Sequence, residues 1–152
     1  MRIENREPMK IYLDVCCLCR PFDDQTTTRI RLEATAVQEI IRRCTGEFTL
    51  VTSEAIREEL SYIPDNKKRL RVEKILSVAG ENILIGKEII TRMHEFIKKG
   101  GDAMDSLHVA CAEHAGATFL TTDDGLITFF KFRHITQIDI ENPVTWLKEG
   151  NT

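Results

Sequence analysis

The sequence predicts an α/β fold of three layers, α/β/α, with helices on both faces of a mostly parallel, twisted five-stranded sheet. Two observations carry this expectation. Short apolar segments that lack polar alternation alternate with segments of helical period, the pattern of strands buried on both faces. The chain of 152 residues, 42% hydrophobic and 30% charged, also has the ordinary globular composition of one domain, long enough to bury a core without disulfide staples.

The elements follow in order. Residues 1–8 are polar and end in Pro8, an N-terminal extension to a single domain over residues 9–152. Ile11, Tyr12 and Leu13 make the first strand, and the turn after it runs through Pro21, Asp23 and Asp24. Ile30, Ala34, Val37, Ile40, Ile41 and Cys44 keep helical spacing up to Gly46. Phe48 to Val51 read as a buried strand, Ser53 caps a short helix that ends before Pro64, and Asp65 starts the next one, which runs toward Gly80. A third strand is expected over Ile83 to Ile85, then a helix carrying Ile89, Ile90, Met93, Phe96 and Ile97 that Gly100-Gly101 breaks. Asp102 opens a small-residue helix that stops at Gly116. Thr118 to Thr121 form a fourth strand, a short helix passes through Leu126, Ile127 and Phe130, and a last strand lies near Ile135 to Ile140. Pro143 starts a terminal helix anchored by Trp146.

Lys and Arg total 21 against 24 Asp and Glu, a formal charge of −3, so no global basic field marks a nucleic-acid partner. Such a partner has to be argued from a local site. No apolar run reaches the roughly 20 residues of a membrane span, and the N-terminus lacks the apolar stretch of a signal peptide, so a cytoplasmic protein with no membrane partner is expected. Five cysteines, at 16, 17, 19, 44 and 111, are not a disulfide framework. Cys16-x-x-Cys19 has the spacing of a thiol redox pair or half a zinc site, but no second pair completes four ligands. Small soft thiols packed at a strand end in a reducing compartment are the simpler account.

In open parallel sheets ligands bind beyond the carboxyl ends of the strands. Asp14 follows the first strand directly and Asp123 the fourth, although a turn residue and a helix N-terminal acid explain each of them locally. With Ile56 at zero and about 100° per residue, Leu60 and Ile63 share its face, Glu59 falls about 60° away on the rim, and Glu58 points to solvent. Asp105 heads a stripe with Val109 and Ala112 on a helix that is apolar almost all round, and a buried carboxylate calls for a cation, a proton or hydrogen bonds. The competing account is a capping box, with Asp102 as N-cap and Asp105 reaching back. Each carboxylate pair at 4 Å repels by about 1 kcal/mol in water and about 4 kcal/mol at an effective dielectric of 20. A divalent cation removes that penalty, and oxygen ligands favour Mg²⁺ or Mn²⁺ over zinc.

These residues resemble a PIN-domain ribonuclease. The resemblance rests on Leu13-Asp14, on Ser53 followed six residues later by Glu59-Leu60, on the run Asp105-Ser106-Leu107-His108-Val109-Ala110-Cys111-Ala112, and on Phe119-Leu120-Thr121-Thr122-Asp123. It implies a PIN-like five-stranded parallel sheet and a catalytic Mg²⁺ or Mn²⁺ site whose four acids fall on Asp14, Glu59, Asp105 and Asp123, with Asp124 as a substitute ligand. It also implies endonucleolytic hydrolysis of RNA. Small members resemble the VapC-like toxins, which a partner antitoxin holds inactive and which usually form homodimers. The chain departs from the family after Asp14, where a small hydroxyl residue and then Asn or Ser usually stand and this sequence has Val15-Cys16-Cys17. Polar support for Asp14 is missing there.

Arg20 and Arg29 are candidates to meet substrate phosphate, and His108, one turn beyond Asp105, to support the ligands from behind. Two other readings stay open: a PIN-like module that binds RNA or protein without cutting, which the missing hydroxyl favours, and a redox or metal protein using Cys16 and Cys19.

Overall fold

The computed structural model describes residues 7–150, so the expected N-terminal extension lies outside the described residues apart from Glu7 and Pro8. Five strands, β1 (Met9–Leu13), β2 (Phe48–Ser53), β3 (Glu81–Ile83), β4 (Thr118–Leu120) and β5 (Ile140–Glu141), form one sheet in the order β3-β2-β1-β4-β5. Every pairing is parallel. The helices are α1 (Val15–Cys19), α2 (Thr28–Arg43), α3 (Glu54–Leu60), α4 (Asn66–Leu76), α5 (Lys87–Lys98), α6 (Ala103–Ala115), α7 (Asp124–Ile127) and α8 (Pro143–Lys148). α2 packs on α8 and α1, while α6 packs on α5 and α3, which completes the three-layer α/β/α arrangement.

The helix starts lie where the capping residues stand. Ser53 Oγ accepts from Ile56 N at 3.1 Å, Asp65 Oδ1 from Lys68 N at 3.1 Å, Asp102 Oδ2 from Asp105 N at 3.0 Å and Asn142 Oδ1 from Val144 N at 2.8 Å. Each side chain satisfies one of the amide groups a helix start leaves open. Gly116 ends α6 with φ of 69°, a left-handed conformation that only glycine adopts at low cost. Trp146 anchors the terminal helix, as its position suggests, with its ring 5.5 Å from that of Phe48.

Three elements differ from expectation. The segment after Asp14 is the helix α1, not a turn: all its residues but Cys16 are buried, so it shows no amphipathic period. β3 lies two residues earlier than Ile83 to Ile85, because its pairing with β2 sets Ile83 opposite Ser53 and leaves Leu84 exposed. The last strand shrinks to Ile140 and Glu141, since β4 offers only three residues to pair with and a π-helical turn occupies Thr128–Phe132.

The order of the sheet decides where a site can lie. The chain winds outward from β1 to β2 and β3, then returns to the other side of β1 with β4 and β5, so the winding direction reverses between β1 and β4. The crevice beyond the carboxyl ends at such a switch point is where open α/β sheets bind ligands. Asp14 N donates to Leu120 O at 3.0 Å and holds the mouth of that crevice together.

The α5–α6 corner depends on Gly101. A Cβ there would stand 2.6 Å from Ser106 Oγ and 3.0 Å from the Phe96 carbonyl oxygen, the latter being backbone that cannot yield. Gly101→Ala is therefore expected to destabilise the fold by about 1–3 kcal/mol, read as a lower urea midpoint at unchanged slope.

Candidate metal centre

Asp14 is the N-cap of α1 and almost fully buried, at 7% exposure. Its Oδ1 accepts from Val15 N at 2.9 Å, and its Oδ2 accepts from Thr121 Oγ1 at 2.8 Å, with the Cys16 thiol 3.5 Å away. The polar support that the sequence after Asp14 lacks thus comes from the end of β4. Thr121 Oγ1 also accepts from Asp123 N at 3.1 Å, so one hydroxyl joins the two strand ends that face each other across the crevice. Cys16 stands beside both, with its Sγ 3.4 Å from Thr121 Oγ1 and accepting from Thr122 N.

Glu59 reaches the same place from α3. Its Oε1 lies 2.7 Å from His108 Nε2 on α6, while Glu58 is exposed and accepts from the Tyr62 hydroxyl, as the helical wheel requires. One ligand atom each from Asp14, Glu59 and His108 lie within 4.8 Å of one another. Behind His108, Nδ1 is 2.7 Å from the Tyr12 hydroxyl, which in turn is 2.7 Å from Ser53 Oγ.

Asp105 stands one turn before His108. Only the forward half of the capping box is made, because Asp102 accepts from Asp105 N and no donor reaches the Asp105 carboxylate among the described residues. Burial, and then the charges of Asp102, Asp123 and Asp14, push its pKa up to about 7. Burial likewise raises Asp14 above the usual carboxylate range, and the Glu59 charge adds to this against the pull of His108 and Thr121. Asp123 caps α7 with Oδ1 on Leu126 N at 3.1 Å and acts on Asp105 through its charge, but among the described residues neither Asp105 nor Asp123 joins the group of Asp14, Glu59 and His108.

The remaining sequence candidates lie beside this group, not in it. Asp124 is 71% exposed and held by the Arg29 guanidinium at 2.9 and 3.0 Å. Arg29 also donates to Thr122 O and to Glu33, and Arg20 is engaged by Glu33 at 2.8 Å and Asp23 at 3.0 Å. Glu33 had no place in the functional reading of the sequence. Its signal is there, since it sits on the apolar stripe of α2 between Ile30 and Val37, where a carboxylate must find partners. It finds Arg20, Asn142 and Arg29, whose hydrogen bonds outweigh its burial and lower its pKa. The sequence places Thr121 and Tyr12 only as strand residues, because their site partners are 107 and 96 residues away. Of the thiols, Cys17, Cys19, Cys44 and Cys111 are buried, and burial pushes Cys19 up to about 11, so these thiols stay neutral and pack.

The chain belongs to the PIN-domain family: residues 11–130 match it. The family is in general one of nucleases. No curated protein matches the sequence. Among solved structures, VapBC2 from Rickettsia felis bound to a DNA fragment from its promoter is similar at 16% identity and a TM-score of 0.63, over 88% of this chain and 98% of that one. VapBC-1 from nontypeable Haemophilus influenzae is similar at 13% identity and a TM-score of 0.62, over 89% and 98%. FitAcB from Neisseria gonorrhoeae is similar at 18% identity and a TM-score of 0.57, over 88% and 97%. At these identities the likeness is one of fold. Among the described residues no helix is long and apolar enough to cross a membrane.

The Asp105 geometry gives a pH signature. Its folded-state pKa of about 7 lies above the ordinary value of 3.8, so between these two the folded state holds a proton that the unfolded state has released. Stability then falls as pH rises through this window. Asp105→Asn is expected to raise the melting temperature of the metal-free protein above pH 7 and leave it unchanged below pH 4, which a series of thermal melts across pH measures.

Proposed function

We propose that the protein is a metal-dependent endoribonuclease that hydrolyses RNA phosphodiester bonds at Asp14, Glu59, Asp105 and Asp123, and that it is the toxin of a toxin–antitoxin pair. The observation that carries this reading is the grouping of Asp14, Glu59 and His108 beside the β1/β4 switch point, with Asp105 coupled by charge to Asp14 and Asp123 and with Asp14 and Asp105 both held above the usual carboxylate range. Acids in such company lack a counter-ion, and their hard oxygens suit Mg²⁺ or Mn²⁺. When bound, the ion supplies an activated water and stabilises the charge that develops on the phosphate.

The residues of the chain then divide the work. Thr121 and the Val15 amide orient Asp14, so its carboxylate presents a defined edge to the crevice. His108 holds Glu59 through its Nε2, so the imidazole orients a carboxylate ligand and leaves the donor set to hard oxygens, which suit Mg²⁺ or Mn²⁺. Asp123 keeps one oxygen on the α7 cap, which fixes the other. Thr121 does for Asp14 what the family's hydroxyl residue would do, which favours a cutting enzyme over a binding module without activity. The pairing of the similar structures as VapBC complexes supports an antitoxin partner, and the VapC-like resemblance extends to a cytoplasmic homodimer.

The test is cleavage of a mixed-sequence single-stranded RNA with Mn²⁺ or with EDTA. Cleavage is expected with Mn²⁺ alone, and Asp14→Asn is expected to lower it by about a hundredfold or more, since a ligand should count for at least as much as the groups that orient it. Equal cleavage by both proteins, or none by either across several RNAs and metals, would overturn the reading.

A further inference from the structure

We propose that Tyr12 is a positioning residue of this centre: its hydroxyl fixes His108 as the Nε2–H tautomer and through it fixes where the Glu59 carboxylate stands. The inference rests on the metal-centre reading above and adds a residue that touches neither metal nor substrate.

Hydrogen-bond directions carry it. An ionised carboxylate only accepts, so His108 Nε2, 2.7 Å from Glu59 Oε1, carries the hydrogen. The Nδ1 of a neutral ring is then an acceptor, and the Tyr12 hydroxyl, 2.7 Å away, is its donor. The second position on the Tyr12 oxygen accepts the Ser53 hydroxyl at 2.7 Å, and Ser53 Oγ accepts Ile56 N. Each hydroxyl gives one hydrogen and takes one, in a single direction from the α3 cap to the metal ligand. Running the chain the other way with a neutral ring would set a bare Nε2 against a carboxylate.

Packing removes the alternatives. Tyr12 is fully buried, stacked on Phe119 at 5.3 Å and edge-on to the His108 ring at 5.8 Å, so its phenol cannot swing aside. His108 is itself buried. Glu59 is the freer member, with 38% of its side chain exposed and His108 as its one side-chain partner among the described residues. Its position therefore follows from the ring, and the ring's from Tyr12.

The experiment uses the full chain, labelled with ¹⁵N. A long-range ¹H–¹⁵N correlation, read at a pH where the ring nitrogens themselves report a neutral imidazole, is expected to show His108, assigned by its absence from His108→Gln, as a single Nε2–H tautomer. Tyr12→Phe keeps the ring in the core and removes only the donor, so it is expected to mix the tautomers. In calorimetric titration with Mn²⁺ the same variant should bind about tenfold or more weakly than the wild type, as loss of such outer partners does. An Nδ1–H or averaged tautomer in the wild type overturns the proposal, as does a Tyr12→Phe protein with wild-type tautomer and Mn²⁺ affinity. Should Tyr12→Phe not fold, the wild-type spectrum decides. Wild-type protein that binds no Mn²⁺ overturns the metal-centre reading instead, while the tautomer still judges the relay.

Discussion

A carboxylate with almost no access to water sits at the end of β1, and keeping it there organises everything around it. Asp14 has both oxygens engaged, by the first amide of α1 and by Thr121 from the neighbouring strand. Those two bonds offset part of the desolvation cost but not all of it, because the group still titrates above its ordinary range. Burial is the main source of that residual cost, and the Glu59 charge arriving from α3 adds to it. A fold gains no stability from such an arrangement. Its use must lie in what the group binds.

Glu33 shows what the chain does when a buried acid has a structural task. It is almost fully buried, yet Arg20, Asn142 and Arg29 converge on it and hold its pKa below the ordinary value. The network also ties α2 to the turn that presents Asp123, through the Arg29 bonds to Thr122 O and Asp124. Two buried acids on neighbouring elements therefore shift in opposite directions, and the difference is whether the protein supplies the cations itself. At Glu33 it does. At Asp14 and Asp105 it does not, and this separates a site from a strut more sharply than burial alone.

What the sequence reveals and what it hides follow the range of each interaction. Caps at Ser53, Asp65 and Asp102 are legible because donor and acceptor lie within three residues of each other. Asp14 and Asp123 are legible as strand-end acids, and Glu59 as the rim position of a short amphipathic helix. α1 is hidden because five mostly buried residues have no polar face to set a period. β3 and β5 are misplaced because three- and two-residue strands are defined by pairing with partners far along the chain. Thr121, 107 residues from Asp14, and Tyr12, 96 residues from His108, are hidden for the same reason. The support that looked absent beside Asp14 was a long-range contact, not a missing one.

The charge of −3 takes a different meaning in this light. A phosphodiester approaching the empty crevice meets Asp14, Glu59, Asp105 and Asp123 from four elements, and Arg20 and Arg29 do not counter this because their guanidinium groups are committed to Glu33, Asp23 and Asp124. On the proposed reading a cation bound at the crevice would supply that attraction, so that binding of substrate and binding of metal would be one linked event. That linkage explains why no basic surface need appear in the composition of a chain proposed to cut nucleic acid.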